Sequence, residues 1–398
     1  MKSRFSPLFL IIILIGTCAM WAQSTTEKDV LAELFKTGRT AYATLFDDAF
    51  LKQVSELKIR EIVQLYMSKL GAYKSAIGSS GSYDLLFEKG KASCRIALTP
   101  AGRINTLWLG TWTLLDDNPE KLKTELLKVE GEVSVCITKN GKTVFAIAAD
   151  KNLAVGSTFK LYVLKALNRR ISGGKAKWSD TTALRNEYFS LPSGMLQDWP
   201  SGSPVTLHTL AVLMISRSDN TAADHLLSYL GRDTVEAVAP EGMKPFLFTN
   251  EMFKLKSVSG EDKCKAYISA DLKTKRKILE QLKSIPVNES NFSTNPVLVK
   301  EIEWFASTRE LCAVIFELKD LPVLSINPGL VKKTSWHIAG YKGGSEPGVL
   351  NYTHVLQKNV KSPIYAISAT INNSEKNVDP SFTELVSRLI GLIERDGL

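Results

Sequence analysis

The chain has 398 residues, more than one hydrophobic core comfortably serves, so two domains are expected. Apolar residues make up 44% and charged residues 23%, an ordinary globular balance. The net charge of +9 comes from basic residues interleaved with acids, as in KLKTELLKVEGE, which reads as a solvated surface and speaks against nucleic-acid binding.

At the start, Lys2 and Arg4 precede the apolar run Leu8 to Ile15, and small or polar residues follow to Ala22 and Gln23. That pattern is a secretory signal peptide over residues 1–22, cleaved after Ala22. The run is short for a bilayer span. The expected product is exported, periplasmic or secreted, with no transmembrane helix once the signal is gone. Cys18, preceded by Thr17, makes only a poor lipoprotein acceptor. Cys94, Cys136, Cys264 and Cys312 remain, with neither a CxxC pair nor a histidine at metal-ligand spacing. Zinc is therefore not expected, no cofactor is called for, and the cysteines read as buried thiols, disulfides being the alternative.

From Thr25 to about Gly78 apolar residues recur at three- and four-residue steps (Leu31, Leu34, Phe35; Ile59, Ile62, Val63), which predicts helices. Strands follow at 83–87, 92–98 and 103–112, with Trp108 and Trp112 expected to pack there. Helices and then a small antiparallel sheet make an α+β domain over 23–118, with Asp116–Asp117–Asn118–Pro119 as its exit. In the second domain, 119–398, Asn140-Gly141 marks a hairpin between 132–138 and 143–149. Helices are predicted at 206–216 and 221–230, strands at 311–318, 334–341, 350–355 and 363–371, and an amphipathic segment at 382–395. Strands at both ends with helices between imply one sheet closed by the two ends around an inserted helical lobe.

The chemistry starts at Ser157–Thr158–Phe159–Lys160. On a helix the first and fourth of these share a face, so Lys160 would stand beside Ser157, and a desolvated lysine can act as a serine's base. Taken alone, the tetrapeptide is explained as readily by a helix cap and a snorkelling lysine. Ser218-Asp219-Asn220 lies between two apolar helices, its hydroxyl and amide free to enter a cleft. Lys342–Gly343–Gly344–Ser345 follows a strand-like stretch, where glycines let a ligand approach backbone. Ser-x-x-Lys, Ser-Asp-Asn and a Lys-x-Gly strand, in that order, are the three motif types of serine β-lactamases and penicillin-binding proteins. His208, His225, His337 and His354 form no convincing Ser/His/Asp arrangement.

On these motifs, and on LPSGMLQDWPSGSPVTLHTLAVLMISRSDNTAADHLL, the second domain resembles the class A β-lactamases. VGSTFKLYVL, KPFLFTNEMFKLK, EWFAS and YKGGSEPGV resemble a two-domain subgroup, the β-lactamase-like proteins of clavulanic-acid gene clusters and their relatives. That resemblance implies a ketosteroid-isomerase-like N-terminal domain and a β-lactamase/transpeptidase-like second domain, an antiparallel sheet with an inserted all-helical lobe. It implies a serine hydrolase that takes a small-molecule β-lactam or related amide or ester. Ser157 would be acylated, Lys160 would be its base, and Ser218 would pass a proton to the leaving nitrogen. Lys342 would supply positive charge, Asn220 would hold a substrate amide, and Gly344 and Ser345 would line the site, the Ser157 and Ser345 amides forming an oxyanion hole. Two departures stand out. Gly343 replaces a threonine whose hydroxyl would help bind a carboxylate, and Leu255 replaces an asparagine expected four residues after Glu251, the possible deacylating base. A slow-turnover penicillin-binding or esterase role and a non-catalytic binding role are the alternatives.

Overall fold

The structure is a computed structural model that describes residues 26–395 and 398. The signal-peptide segment and Cys18 lie outside the described residues. The chain divides into two units, with the boundary between Gly110 and Thr111.

The first unit opens with helices α1 (Glu27–Leu34), α2 (Asp48–Gln53) and α3 (Glu56–Leu70). Strands β1 (Tyr73–Ser79), β2 (Ser82–Phe87), β3 (Gly90–Leu98) and β4 (Ile104–Leu114) form one sheet in the order β1-β2-β3-β4. The helices start where the sequence provides caps: Thr26 accepts from the Asp29 amide, and Ser55 from that of Lys58. Gly71, at φ +79°, ends α3. The chain turns there into β1, so the expected helix does not run on to Gly78; that stretch is an edge strand. Leu31, Leu34, Phe35, Val63, Leu85 and Ile104 are buried between helices and sheet. Trp108 does not pack as expected: it is 52% exposed, with the Arg95 guanidinium over its ring.

The second unit runs through α4 (Pro119–Leu126), β5 (Glu132–Lys139), β6 (Lys142–Ile147), β7 (Leu153–Ala154) and α5 (Lys160–Ser172). A helical lobe follows: β8 (Thr181–Ala183), β9 (Pro204–Thr206), α6 (Leu207–Ser216), α7 (Asn220–Leu230), α8 (Arg232–Glu236), α9 (Thr249–Ser257), α10 (Glu261–Ser269) and α11 (Leu272–Gln281). The chain returns through β10 (Phe305–Ala306), α12 (Thr308–Glu317), β11 (Ile338–Glu346), β12 (Val349–Gln357), β13 (Ile364–Asn372) and α13 (Ser381–Arg395). The main sheet has the order β11-β12-β13-β5-β6, antiparallel throughout, so the two ends of the unit pair directly, Cys136 opposite Ser368. One face packs Val135, Ile137, Ile367 and Ile371 against Leu385, Val386 and Leu389 of α13. The other meets α12 and the 3₁₀ turn Gly156–Phe159 that precedes α5.

Two expectations change in this unit. Residues 311–318 are not a strand: they belong to α12, opened by a capping box in which Ser307 Oγ accepts from the Glu310 amide and the Glu310 carboxylate from the Ser307 amide. The strand expected at 334–341 lies further on, so Lys342 to Ser345 fall inside the edge strand β11 and not after it. Trp112 lies in this unit and donates to Glu384 at 2.9 Å. All four cysteines in the described residues are free thiols. No helix among the described residues is long and apolar enough to cross a membrane.

Candidate active site

Ser157 lies in a single 3₁₀ turn, Gly156–Phe159, that leads into α5. Both sides hold this turn. Phe159 stacks on Trp304 at a centroid distance of 3.9 Å, and the Trp304 indole donates to Leu247 O. Thr158 Oγ1 donates to Asn351 Oδ1 of β12 at 2.8 Å, and Asn351 in turn donates to Thr370 Oγ1 at 2.8 Å and accepts from Thr353 Oγ1. Buried polar groups require such closed networks, and this one fixes the turn to the sheet. Nothing in the sequence motifs marked Thr158 or Asn351. The only signal was polar residues inside an otherwise apolar strand.

Glycine lets β11 approach the turn. A β-carbon added to Gly344 would lie 2.0 Å from Val155 O and 2.7 Å from the Ser157 amide nitrogen, and one added to Gly156 would lie 3.2 Å from the Ser345 amide nitrogen. Only a residue without a side chain fits at 344. The amide nitrogens of Ser157 and Ser345 are thereby neighbours across the contact.

Ser218 stands between α6 and α7 at φ +58°, a left-handed conformation uncommon outside glycine and of the kind that concentrates at functional sites. Asp219 holds the corner. Its carboxylate caps α7 through the Ala222 amide and accepts from the Met195 and Leu196 amides.

Lys160, fully buried, draws these parts together. Its Nζ donates to Asn220 Oδ1 at 2.7 Å and to Ser218 O at 2.5 Å, and lies 3.3 Å from both Ser157 Oγ and Ser218 Oγ. Lys342 Nζ bonds Ser218 Oγ at 3.1 Å from the other side and folds back on Gly343 O. The Ser218 hydroxyl therefore bridges two buried lysines. Burial lowers the Lys160 pKa from 10.5 to about 7, opposed by the charges of Asp219 and Asp224. Burial, and then the charge of Lys160, hold Lys342 well below the ordinary lysine value. No carboxylate among the described residues bonds either ammonium.

Asn220 is 2% exposed, and its Nδ2 donates to Leu191 O at 2.9 Å, leaving the second N–H of that amide for a ligand. Glu251 bonds none of these groups among the described residues. Its Oε1 accepts from Arg232 at 2.7 Å and its Oε2 from the Phe248 amide at 2.9 Å, so it closes the start of α9 and pairs with an arginine. Its first-turn position explains this task. The histidines lie elsewhere: His225, for example, accepts from the Arg185 amide and bonds Thr221 O.

Residues 119–282 match the model of the beta-lactamase enzyme family. The match spans the second unit from α4 to the end of the helical lobe. Among solved structures, PBP-A is 15% identical at a TM-score of 0.47, over 69% of this chain and 95% of that one. A beta-lactamase from Sphaerobacter thermophilus is 18% identical at 0.47, over 69% and 96%. A beta lactamase from Xanthomonas campestris pv. campestris is 14% identical at 0.45, over 68% and 97%. No curated protein matches the chain.

Proposed function

We propose that the second unit is a serine hydrolase acylated at Ser157 by β-lactams or by related amides and esters. The observation that carries this reading is the environment of Lys160: a buried amine with no carboxylate partner among the described residues, within 3.3 Å of both serine hydroxyls. Such an amine can be neutral near pH 7 and accept a proton. Ser157 Oγ attacks the ligand's carbonyl carbon and gives its proton to Lys160. The oxyanion that forms faces the Ser157 and Ser345 amides. Ser218, bonded to Lys160 and Lys342, delivers a proton to the leaving nitrogen as its bond to the carbonyl carbon breaks. Asn220 offers its remaining N–H to the ligand's amide.

The second half-reaction needs a water activated beside the ester. The commitment of both Glu251 oxygens favours slow deacylation, so lactam hydrolysis is expected with low turnover, closer to a penicillin-binding protein than to a fast β-lactamase. Incubation with a fluorescent penicillin, followed by intact-mass measurement and a nitrocefin assay, tests this. A mass gain that disappears in Ser157→Ala supports the acyl-enzyme. The absence of any adduct with lactams and activated esters overturns it in favour of a binding protein.

We propose further that residues 1–22 direct export to the periplasm or medium, to be tested by sequencing the mature N-terminus, expected at Gln23. The first unit's three helices and four-stranded sheet support the ketosteroid-isomerase-like assignment, and the quoted segments support the two-domain subgroup.

A further inference from the structure

Three charged side chains meet inside the second unit and take no part in the steps above. Lys256, near the end of α9, donates to Glu303 Oε1 at 2.5 Å and to Glu346 Oε2 at 2.9 Å. Glu303 is buried, and the side chains of Lys256 and Glu346 are only 6% and 12% exposed. No other charged group among the described residues bonds any of the three. Burial, and then the charge of Glu346, push the Glu303 carboxyl well above the ordinary carboxylate range. Removing one partner from such a cluster strands a buried charge, so the positions of all three are tightly set.

The places that the cluster joins are specific. Along β11, residues 342, 344 and 346 alternate to one side. Lys342 reaches the Ser218 hydroxyl, Gly344 meets the Ser157 turn, and Glu346 is next in that row, following Ser345, whose amide nitrogen adjoins Gly156. Glu303 precedes Trp304, which holds the other side of the same gap. The Trp304 carbonyl accepts from the Val155 amide at 3.0 Å, its ring stacks on Phe159, and Phe305 pairs with Ala154. One ammonium therefore grips both the edge strand and the segment that carries Ser157. The opposite end of α9 is anchored at the same site, because Thr249 Oγ1 donates to Asn220 O at 3.4 Å.

We propose that Lys256 is a positioning residue, which by gripping Glu346 and Glu303 together fixes the separation of the Ser345 and Ser157 amides, and so the fit of the oxyanion between them. This rests on the reading of Ser157 as the acylated nucleophile. Small displacements matter there, since a shift of about 1 Å in a catalytic group can cost about a hundredfold in rate.

The test separates rate from binding with benzylpenicillin on the full chain. Glu346→Leu cuts the tie to β11 but leaves Lys256 and Glu303 as a matched pair, whereas Glu346→Gln can still accept from Lys256. Followed by intact mass, the acylation rate constant at saturation should fall about ten- to a hundredfold in Glu346→Leu and stay within about threefold in Glu346→Gln. In Ser157→Ala, where no covalent bond forms, adding Glu346→Leu should change Kd less than about twofold, because the cluster acts on the reacting carbonyl and not on ground-state binding. An unchanged rate constant, an equal loss in Glu346→Gln, or a loss carried by Kd overturns the role of Lys256. A wild-type chain that forms no adduct refutes the Ser157 reading instead, and hydrogen exchange then decides whether the tie exists. Lys256→Met should speed amide exchange about threefold or more in both 153–160 and 338–346, and unchanged exchange in either segment overturns it.

Discussion

A lysine serves as a base only after it has lost its proton, and Lys160 is set up to do so near neutrality. With its pKa lowered to about 7, the reactive neutral form is scarce in acid and dominant above that value. The acylation rate of Ser157 should therefore rise about tenfold per pH unit up to about pH 7 and level off above it. A profile rising only toward pH 10 would show a lysine that keeps its ordinary affinity for protons. At this scale the motifs were informative: Ser157, Lys160, Ser218, Asn220 and Lys342 were all named from spacing, and the chain brings them within hydrogen-bonding distance of one another or of a shared hydroxyl. Glu251 illustrates the limit. A carboxylate at about the right distance in sequence could serve as a base or as a helix cap, and the sequence does not show that it bonds Arg232 and the Phe248 amide.

Elements were legible where periodicity was unambiguous and misread where it was not. The run Leu311 to Leu318 is apolar on nearly every side because α12 is sandwiched in the core, and such a run looks alike in a buried strand and a buried helix. The capping residues Ser307 and Glu310 were the available signal. At β1 the helical period seemed to continue, but Gly71 had already stopped it. In β11 the paired glycines suggested the end of a strand, whereas they are the place where two backbones nearly touch. That closeness makes a prediction. Gly344→Val must push β11 away from the Ser157 turn, since even a β-carbon would overlap Val155 O. Acylation should fall by more than about a hundredfold, the cost of losing an oxyanion-hole donor, with an overpacking penalty of about 1–3 kcal/mol by urea unfolding.

Across the second unit, α13 is tied down by charge as well as by its apolar face. Arg388, with its side chain only 4% exposed, makes a two-toothed contact with Asp117, itself 2% exposed, and bonds Glu125 and Glu384. Removing the arginine alone strands a buried carboxylate. Arg388→Ala should cost about 3–5 kcal/mol in urea unfolding, while Arg388→Met combined with Asp117→Leu should recover most of that loss. Closure of the sheet by the two ends of the unit was readable from the distribution of strands along the chain. The ion cluster was not, because its members are far apart in sequence and look like ordinary surface charges.

That closure also sets a timetable for synthesis. The hairpin of β5 and β6 leaves the ribosome early, but the partner for Cys136 is Ser368, which arrives near the end. Until then one side of β5 offers open main-chain donors and acceptors to any passing strand, a hazard for aggregation. Lys342 is made late as well, so a nascent chain stalled within the helical lobe already holds Ser157 and Ser218 but lacks the second lysine that bonds the Ser218 hydroxyl. The proposed site is complete only as a final event of folding.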